Sequence, residues 1–274
     1  MEIRIRAGSR ARYWRDLWDY RELLVTLAIR DVSVRYKQTV LGALWAVLQP
    51  LTAVILMTFV FGRLAGLQAD TDIPYGALVL AGMLPWQLFS NVLNTCGQSM
   101  VSNANLISKV YFPRMIVPLA ALSVALLDFG IGAVVFLPAL VWLGGSLGPQ
   151  WLAIPFLIGL ACLAALGPAL LVTALNVKYR DFRFLVPFIL QMGMYVSPVA
   201  YPSSLVREKL GSIAAHLYAL NPMVAVIDGF RWPLCGTPPP VGSELAVSCV
   251  IAAVFFVVGL AVFRRIEREF ADIV

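Results

Sequence analysis

Arg30, Arg35 and Lys37 crowd together just ahead of the first long apolar run, where flexible cations suit the oxygens of a phosphate. Around them Glu22, Thr26, Arg30, Ser33 and Lys37 recur at helical spacing, with Leu23, Leu27 and Val34 on one flank and Val25, Ile29 and Val32 on the other. That pattern predicts a helix lying in the membrane interface with a narrow polar edge. Its cations either anchor the chain to the surface or meet an anionic lipid headgroup or pyrophosphate arriving from the cytosol.

Two later polar connections and one isolated acid complete the groups capable of chemistry or recognition. Ser102 to Arg114 reads as a short amphipathic helix stopped by Pro113 and capped by Ser102 or Asn103. It carries Leu106, Ile107, Val110, Tyr111 and Phe112 beside Asn105 and Lys109, so its apolar face packs either on its own bundle or on a second subunit. Asn176 to Arg183 holds Lys178, Tyr179, Arg180, Asp181 and Arg183, charges that are either paired locally or used in function. Asp128 stands alone in an apolar run. A carboxylate there is costly unless it faces the bundle interior or water, so it pairs with another helix or belongs to a translocation path.

No G-x-x-x-x-G-K-[ST] loop, H-E-x-x-H pair or catalytic carboxylate pair occurs in the sequence. Cys96, Cys162, Cys235 and Cys249 lack metal or redox spacing and read as small apolar side chains. We therefore expect no catalytic or metal site, no resident cofactor, and no ATP hydrolysis by this chain alone.

The elements that position these groups follow from composition. Hydrophobic residues make up 60% of the chain and charged residues only 13%, with a mean hydropathy of +0.83, against roughly 25% charge in ordinary soluble domains. Lipid must be the solvent for much of it, and the long unbroken apolar runs select helices over a barrel. The expected spans are Val40 to Gly62, Tyr75 to Thr95, Met115 to Leu143, Trp151 to Val177, Phe184 to Tyr201 and Leu245 to Phe263. Lys and Arg gather before the first span, after the second and fourth, and at the C-terminus, which puts both termini in the cytoplasm. The formal net charge of +6 is then a topology signal that also suits anionic lipid, and nucleic acid is not an expected partner.

Ser203 to Pro240 tempts a seventh crossing, but that would carry Arg264, Arg265 and Arg268 outside. It reads instead as two short re-entrant helices broken at Asn221-Pro222, lining the outer end of a pathway. The expected fold is thus an all-α integral membrane protein with six transmembrane helices, an N-terminal interfacial helix and two re-entrant helices before the last span. It forms one domain: a cytoplasmic segment over 1–37, a bundle over 38–264 and a cytoplasmic tail over 265–274. No cleavable signal peptide is expected, because the basic segment before the first run is too long. Aromatics at span ends form an interfacial belt, or, for Trp45, Trp86, Phe89, Tyr195 and Tyr201, stack on sugar rings in a channel.

Ordered blocks resemble one family. They are Arg21-Glu22-Leu23-Leu24, Arg30-Asp31-Val32-Ser33-Val34-Arg35-Tyr36, Gln38 to Trp45 with Gln49-Pro50-Leu51, Gly82-Met83-Leu84-Pro85-Trp86, Asn105-Leu106-Ile107, Lys109 to Pro113, Asn176-Val177 with Tyr179-Arg180-Asp181, Ser197-Pro198-Val199 with Tyr201-Pro202, and Asn221-Pro222-Met223. They are similar to blocks of the polysaccharide and polyol phosphate export permeases, type-2 ABC exporters of O-antigen, capsule or teichoic acid type. The resemblance implies a homodimer with two separate ATPase subunits, which hold the ATP and Mg, and a lipid-linked glycan passing between the two permease copies in the bacterial inner membrane. It implies that Asn103, Asn105, Leu106, Lys109, Tyr111, Phe112 and Pro113 seat on the ATPase, with Tyr179, Arg180 and Asp181 also facing it. It further implies an intake for the lipid headgroup near Arg30, Arg35 and Lys37, and an outer gate at Asn221 and Pro222. The alternative within the same class is an exporter of drugs or small lipids.

Overall fold

The computed structural model describes residues 10–37, 44–67, 73–146, 148–179, 181–240 and 242–267. Among them every regular element is helical. Two helices, α1 (Arg10–Asp19) and α2 (Arg21–Lys37), precede α3 (Leu44–Met57), which continues as a π-helix over Thr58–Leu64. Next come α4 (Tyr75–Ser102), the four-residue α5 (Ala104–Ile107), α6 (Ile116–Trp142), α7 (Ile154–Lys178), α8 (Phe182–Val196), α9 (Ser204–Tyr218), α10 (Pro222–Cys235) and α11 (Gly242–Ile266).

Among the described residues, five helical stretches have both the length and the apolar composition to cross a bilayer: Leu44–Leu64, Tyr75–Ser102, Ile116–Trp142, Pro149–Lys178 and Gly242–Ile266. The chain is therefore a multi-pass membrane protein. The fifth expected span is shorter than the sequence indicated. Phe184 to Tyr201 is cut because Ser197, at φ −84° and ψ 152°, turns extended ahead of Pro198, a residue that disfavours helix in its predecessor. The 15 residues of α8 rise only about 22 Å, against about 30 Å of hydrocarbon.

Helix α4 is the axis of the bundle. It is buried on nearly every side, packed between α6 and α7 with α10, α3 and α8 around it. Lipid-embedded helices gain little from hydrophobicity alone and associate through close packing and polar contacts, and both are present. Thr173 Oγ1 donates to Cys96 O at 2.8 Å and Asn176 Nδ2 to Gly97 O at 2.7 Å, tying α7 to α4. Helix α11 lies on α7 where Gly167 and Gly259 face each other, so near that a Cβ on either would strike the other helix's backbone. All four cysteines are free.

The stretch from 203 to 240 does break into two helices, and local chemistry explains where. Asn221 accepts from Met223 N at 3.0 Å through its side chain and Pro222 occupies the first helical turn of α10, both favourable at an N-terminus. Gly236 closes α10 in the left-handed conformation (φ 66°), donating to Trp232 O. A kink at Gly211, with φ 84°, also divides α9.

Candidate functional site

The interfacial segment folds as the periodicity predicts, but only one flank is seated. Leu27 is buried, and Leu23, Leu24 and Ala28 pack beside it on a satellite core with Met100, Ile107, Phe112, Met115 and Phe263. Val25, Ile29 and Val34 remain exposed. Val34, expected on the same flank as Leu27, does not join it.

Two polar links fasten α2 to the bundle. Arg30, already paired with Asp31 at 2.6 Å, donates to the side-chain oxygen of Asn103, the residue opening the connection after α4. Further along, the Arg35 guanidinium lies 2.5 Å from Asp128 Oδ2, while the Tyr36 hydroxyl donates to Asp128 Oδ1. Burial, then the hydrogen bond to Asp128, push Tyr36 up to about 12, so it is a phenol and a donor at neutral pH. Asp128 is only 3% exposed. Of the two roles open to it in the sequence, the structure shows a helix-to-helix ion pair. Lys37 is exposed.

The connection after α4 is less helical than expected. Only Ala104–Ile107 forms a helix, and Asn103 caps it in position but not by its side chain, whose amide donates to Ser99 O at 2.9 Å. Part of the apolar face packs on the chain's own bundle and part is left exposed. Ile107 and Phe112 are buried in the satellite core with Leu106 half-buried against it, whereas Val110 and Tyr111, the latter 72% exposed, point outward beside exposed Asn105 and Lys109. Pro113 is half-buried. Close by, the Glu267 carboxylate accepts from Arg114 N at 2.9 Å and from the Tyr13 hydroxyl at 3.1 Å, with Arg264 4.4 Å over the Tyr13 ring. Burial pushes the Glu267 carboxyl above its ordinary range despite these donors and raises Tyr13 as well. This clasp joins α1, the start of α6 and the end of α11, and sequence reading missed it.

Tyr179 and Asp181 are exposed at the α7–α8 turn, and Arg180 lies outside the described residues. Among the aromatics, Trp45 and Tyr195 are exposed, Phe89 is half-buried, and Trp86 is 5% exposed in the main core, its ring centroid 5.3 Å from that of Phe89. Trp86 therefore has no ring face to offer outside the bundle. Tyr201 is half-buried, and its hydroxyl donates to the carbonyl end of α8 (Val196 O, 3.0 Å) beside the Tyr218 hydroxyl at 3.0 Å.

At the far end, a buried cation holds the chain between α8 and α9. Arg231, 2% exposed on α10, donates to Val199 O and Tyr201 O at 3.0 Å each and to Leu78 O at 3.4 Å, with Asp228 Oδ1 at 3.5 Å. Asn221 Nδ2 donates to Ser197 Oγ at 2.9 Å. Gly82 lets α4 approach this segment, since a Cβ there would lie 2.9 Å from Val199 O. Sequence reading assigned Arg231 no role; Pro198 and Pro202 were the available signal, because extended backbone within apolar surroundings needs a donor.

No metal-ligand cluster occurs among the described residues, and nothing in either polar group forms a reactive constellation. The arrangement is of helices pinned to one another at two ends. A profile of the ABC-2 type transporter membrane family matches residues 22–234. The chain belongs to that family. Curated relatives of this ABC-2 chain include the O-antigen export system permease protein RfbA of Klebsiella pneumoniae, 27% identical over 253 residues (92% of this chain, 95% of the relative). The protein of the same name from Myxococcus xanthus is 26% identical over 262 residues (94% and 97%). The polysialic acid transport protein KpsM of Escherichia coli is 23% identical over 248 residues (88% and 92%). The matched family region runs from α2 to α10, so it takes in the links of Arg30 and Arg35 and the Arg231 site, while Tyr13, Arg264 and Glu267 of the clasp lie outside it.

Proposed function

We propose that this chain is the membrane-spanning subunit of an ATP-driven exporter that moves lipid-linked polysaccharide, of O-antigen or capsular type, across the bacterial inner membrane. The observation that carries this reading is the similarity to O-antigen export permeases over nine-tenths of the chain. Two copies work with two separate ATPase subunits, which hold ATP and Mg. Both termini are cytoplasmic, α8 supplies a sixth, shortened crossing, and α9 and α10 dip into the outer leaflet and return as a gate around Asn221 and Pro222.

The geometry supports a division of labour. Exposed Asn105, Lys109 and Tyr111, with Tyr179 and Asp181, form the face that meets the ATPase, while Leu106, Phe112 and Pro113 fix that face to the bundle; Arg180, outside the described residues, is assigned to the same contact from its place in the sequence. The Arg30–Asn103 hydrogen bond joins this face to α2, so a push on one reaches the other. ATP binding drives transport only if it biases two arrangements of the bundle differently, and a tilt of α2 relative to α6 is the motion these links transmit. Arg30 and Lys37 then meet the incoming phosphate, with Arg35 held beside them by Asp128. The glycan passes between copies along the apolar and aromatic surface of α3 and α8, where Trp45 and Tyr195 are exposed. Phe89 and Tyr201 line its edge; Trp86 supports from behind.

The test is reconstitution of the chain with its ATPase in inverted vesicles supplied with ATP and a lipid-linked glycan. Expected is ATP-dependent sequestration of the glycan, lost on Lys109→Glu, which abolishes stimulation of the ATPase without altering membrane insertion. Transport of a small lipid or drug with no glycan sequestration would reject the reading in favour of the small-substrate exporter.

A further inference from the structure

The π-helical end of α3 borders a groove of about 480 Å³ between α3, α4 and α6. Leu51, Val54, Ile55, Leu80, Val135 and Phe136 make its walls and floor apolar. Two groups break that character, Thr58 and Arg63. In a π-helix hydrogen bonds join residues i and i+5, a wider turn that brings side chains five apart nearer to one face, whereas in an α-helix the same pair would diverge by about 140°. The π-turns are therefore what let Thr58 and Arg63 line the same groove, with Arg63 exposed and Thr58 half-buried about one turn back along the helix.

Neither polar group is satisfied among the described residues. The Thr58 hydroxyl is buried without a hydrogen-bond partner, and exposed Arg63 makes no ion pair with a described carboxylate. A cation at headgroup level, a donor one turn below it and an apolar trough beneath match the phosphate, ester carbonyl and acyl chain of a single glycerophospholipid. A polyprenyl phosphate has no carbonyl to place at Thr58. We propose that this groove binds an anionic glycerophospholipid of the leaflet at the C-terminal end of α3, its phosphate on Arg63 and an ester carbonyl on Thr58. The site requires that the chain span a membrane; it does not depend on what the chain exports.

Native mass spectrometry of the full-length chain from nanodiscs of phosphatidylcholine doped with phosphatidylglycerol tests the site. Arg63→Gln should cut retained phosphatidylglycerol about fivefold, the factor for about 1 kcal/mol per cation at a membrane surface, and Arg63→Lys should restore it. Ala139→Phe, which fills the trough and leaves the cation in place, should cut it similarly, and Thr58→Val by about threefold, as for one neutral hydrogen bond. Unchanged phosphatidylglycerol in both Arg63→Gln and Ala139→Phe would overturn the proposal. So would polyprenyl phosphate displacing the lipid equally well from wild type and Thr58→Val, which would make the occupant an isoprenoid. A disulfide between two copies carrying Ile55→Cys, with wild type giving none, would likewise sink it, since a second copy would then cover the groove.

Discussion

Arg35→Met and Asp128→Asn sever the same ion pair, yet their costs should differ because the two partners sit in different surroundings. The Asp128 side chain is 2% exposed and that of Arg35 41%. Removing Arg35 strands a buried carboxylate with Tyr36 as its remaining donor, and breaking a buried pair from one side costs about 3 kcal/mol or more. Neutralising Asp128 instead releases a half-exposed guanidinium that can turn to water or lipid phosphate, while the Asn side-chain oxygen still accepts from Tyr36. The loss is then that of one screened, charge-assisted contact, about 1 kcal/mol. Hydrogen exchange of the α2 amides from Arg30 to Lys37 reads these values directly, because local opening of α2 is the affected equilibrium. Protection should fall about 150-fold in Arg35→Met and about fivefold in Asp128→Asn. The double variant should recover most of the difference, exchanging more slowly than Arg35→Met alone. Equal losses in the two single variants, or additive losses in the double, would refute the reasoning that Asp128 is the costly member to strand.

Arg231→Met should destabilise the α8–α9 segment by about 3–5 kcal/mol, since Asp228 and the carbonyls of Val199 and Tyr201 lose their common donor; limited proteolysis within 197–202 should speed up sharply, and an unchanged cleavage rate would count against the latch. Gly167→Ala should force α7 from α11 and cost at least about 1–3 kcal/mol, seen as a thermal midpoint lower by several degrees, about 2–4 °C per kcal/mol. A bulky tag beside Asn221 should be reached by impermeant reagents only from outside the cell; labelling from the cytosol would reverse the proposed orientation.

Much of this architecture was legible in the residues because lipid leaves few choices. Apolar runs bounded by charges had to become helices, and their extents agree with the structure to within a few residues for α6 and α7. The Asn-Pro break before α10 was readable because a side-chain cap and a proline act within a few residues of themselves. The shortened α8 was not read, although Ser197-Pro198 held the signal; apolarity continuing to Tyr201 outweighed a rule that acts on a single dihedral pair. The connection after α4 was legible as carrying an apolar face, but its division into buried Ile107 and Phe112 and exposed Val110 and Tyr111 depended on where α2 and α11 dock.

Sequence alone determined the class of molecule, its helical periodicities and the places where charge is expensive, all of which are local consequences of side-chain chemistry in lipid. Only the tertiary structure decided which costly charges meet. Asp128 finds Arg35 and Tyr36 across 92 or more positions, Arg231 finds carbonyls of two other segments, and Glu267 closes on Arg114 and Tyr13. Partners so distant along the chain leave no mark on each other's local spacing, and helix packing alone brings them within reach.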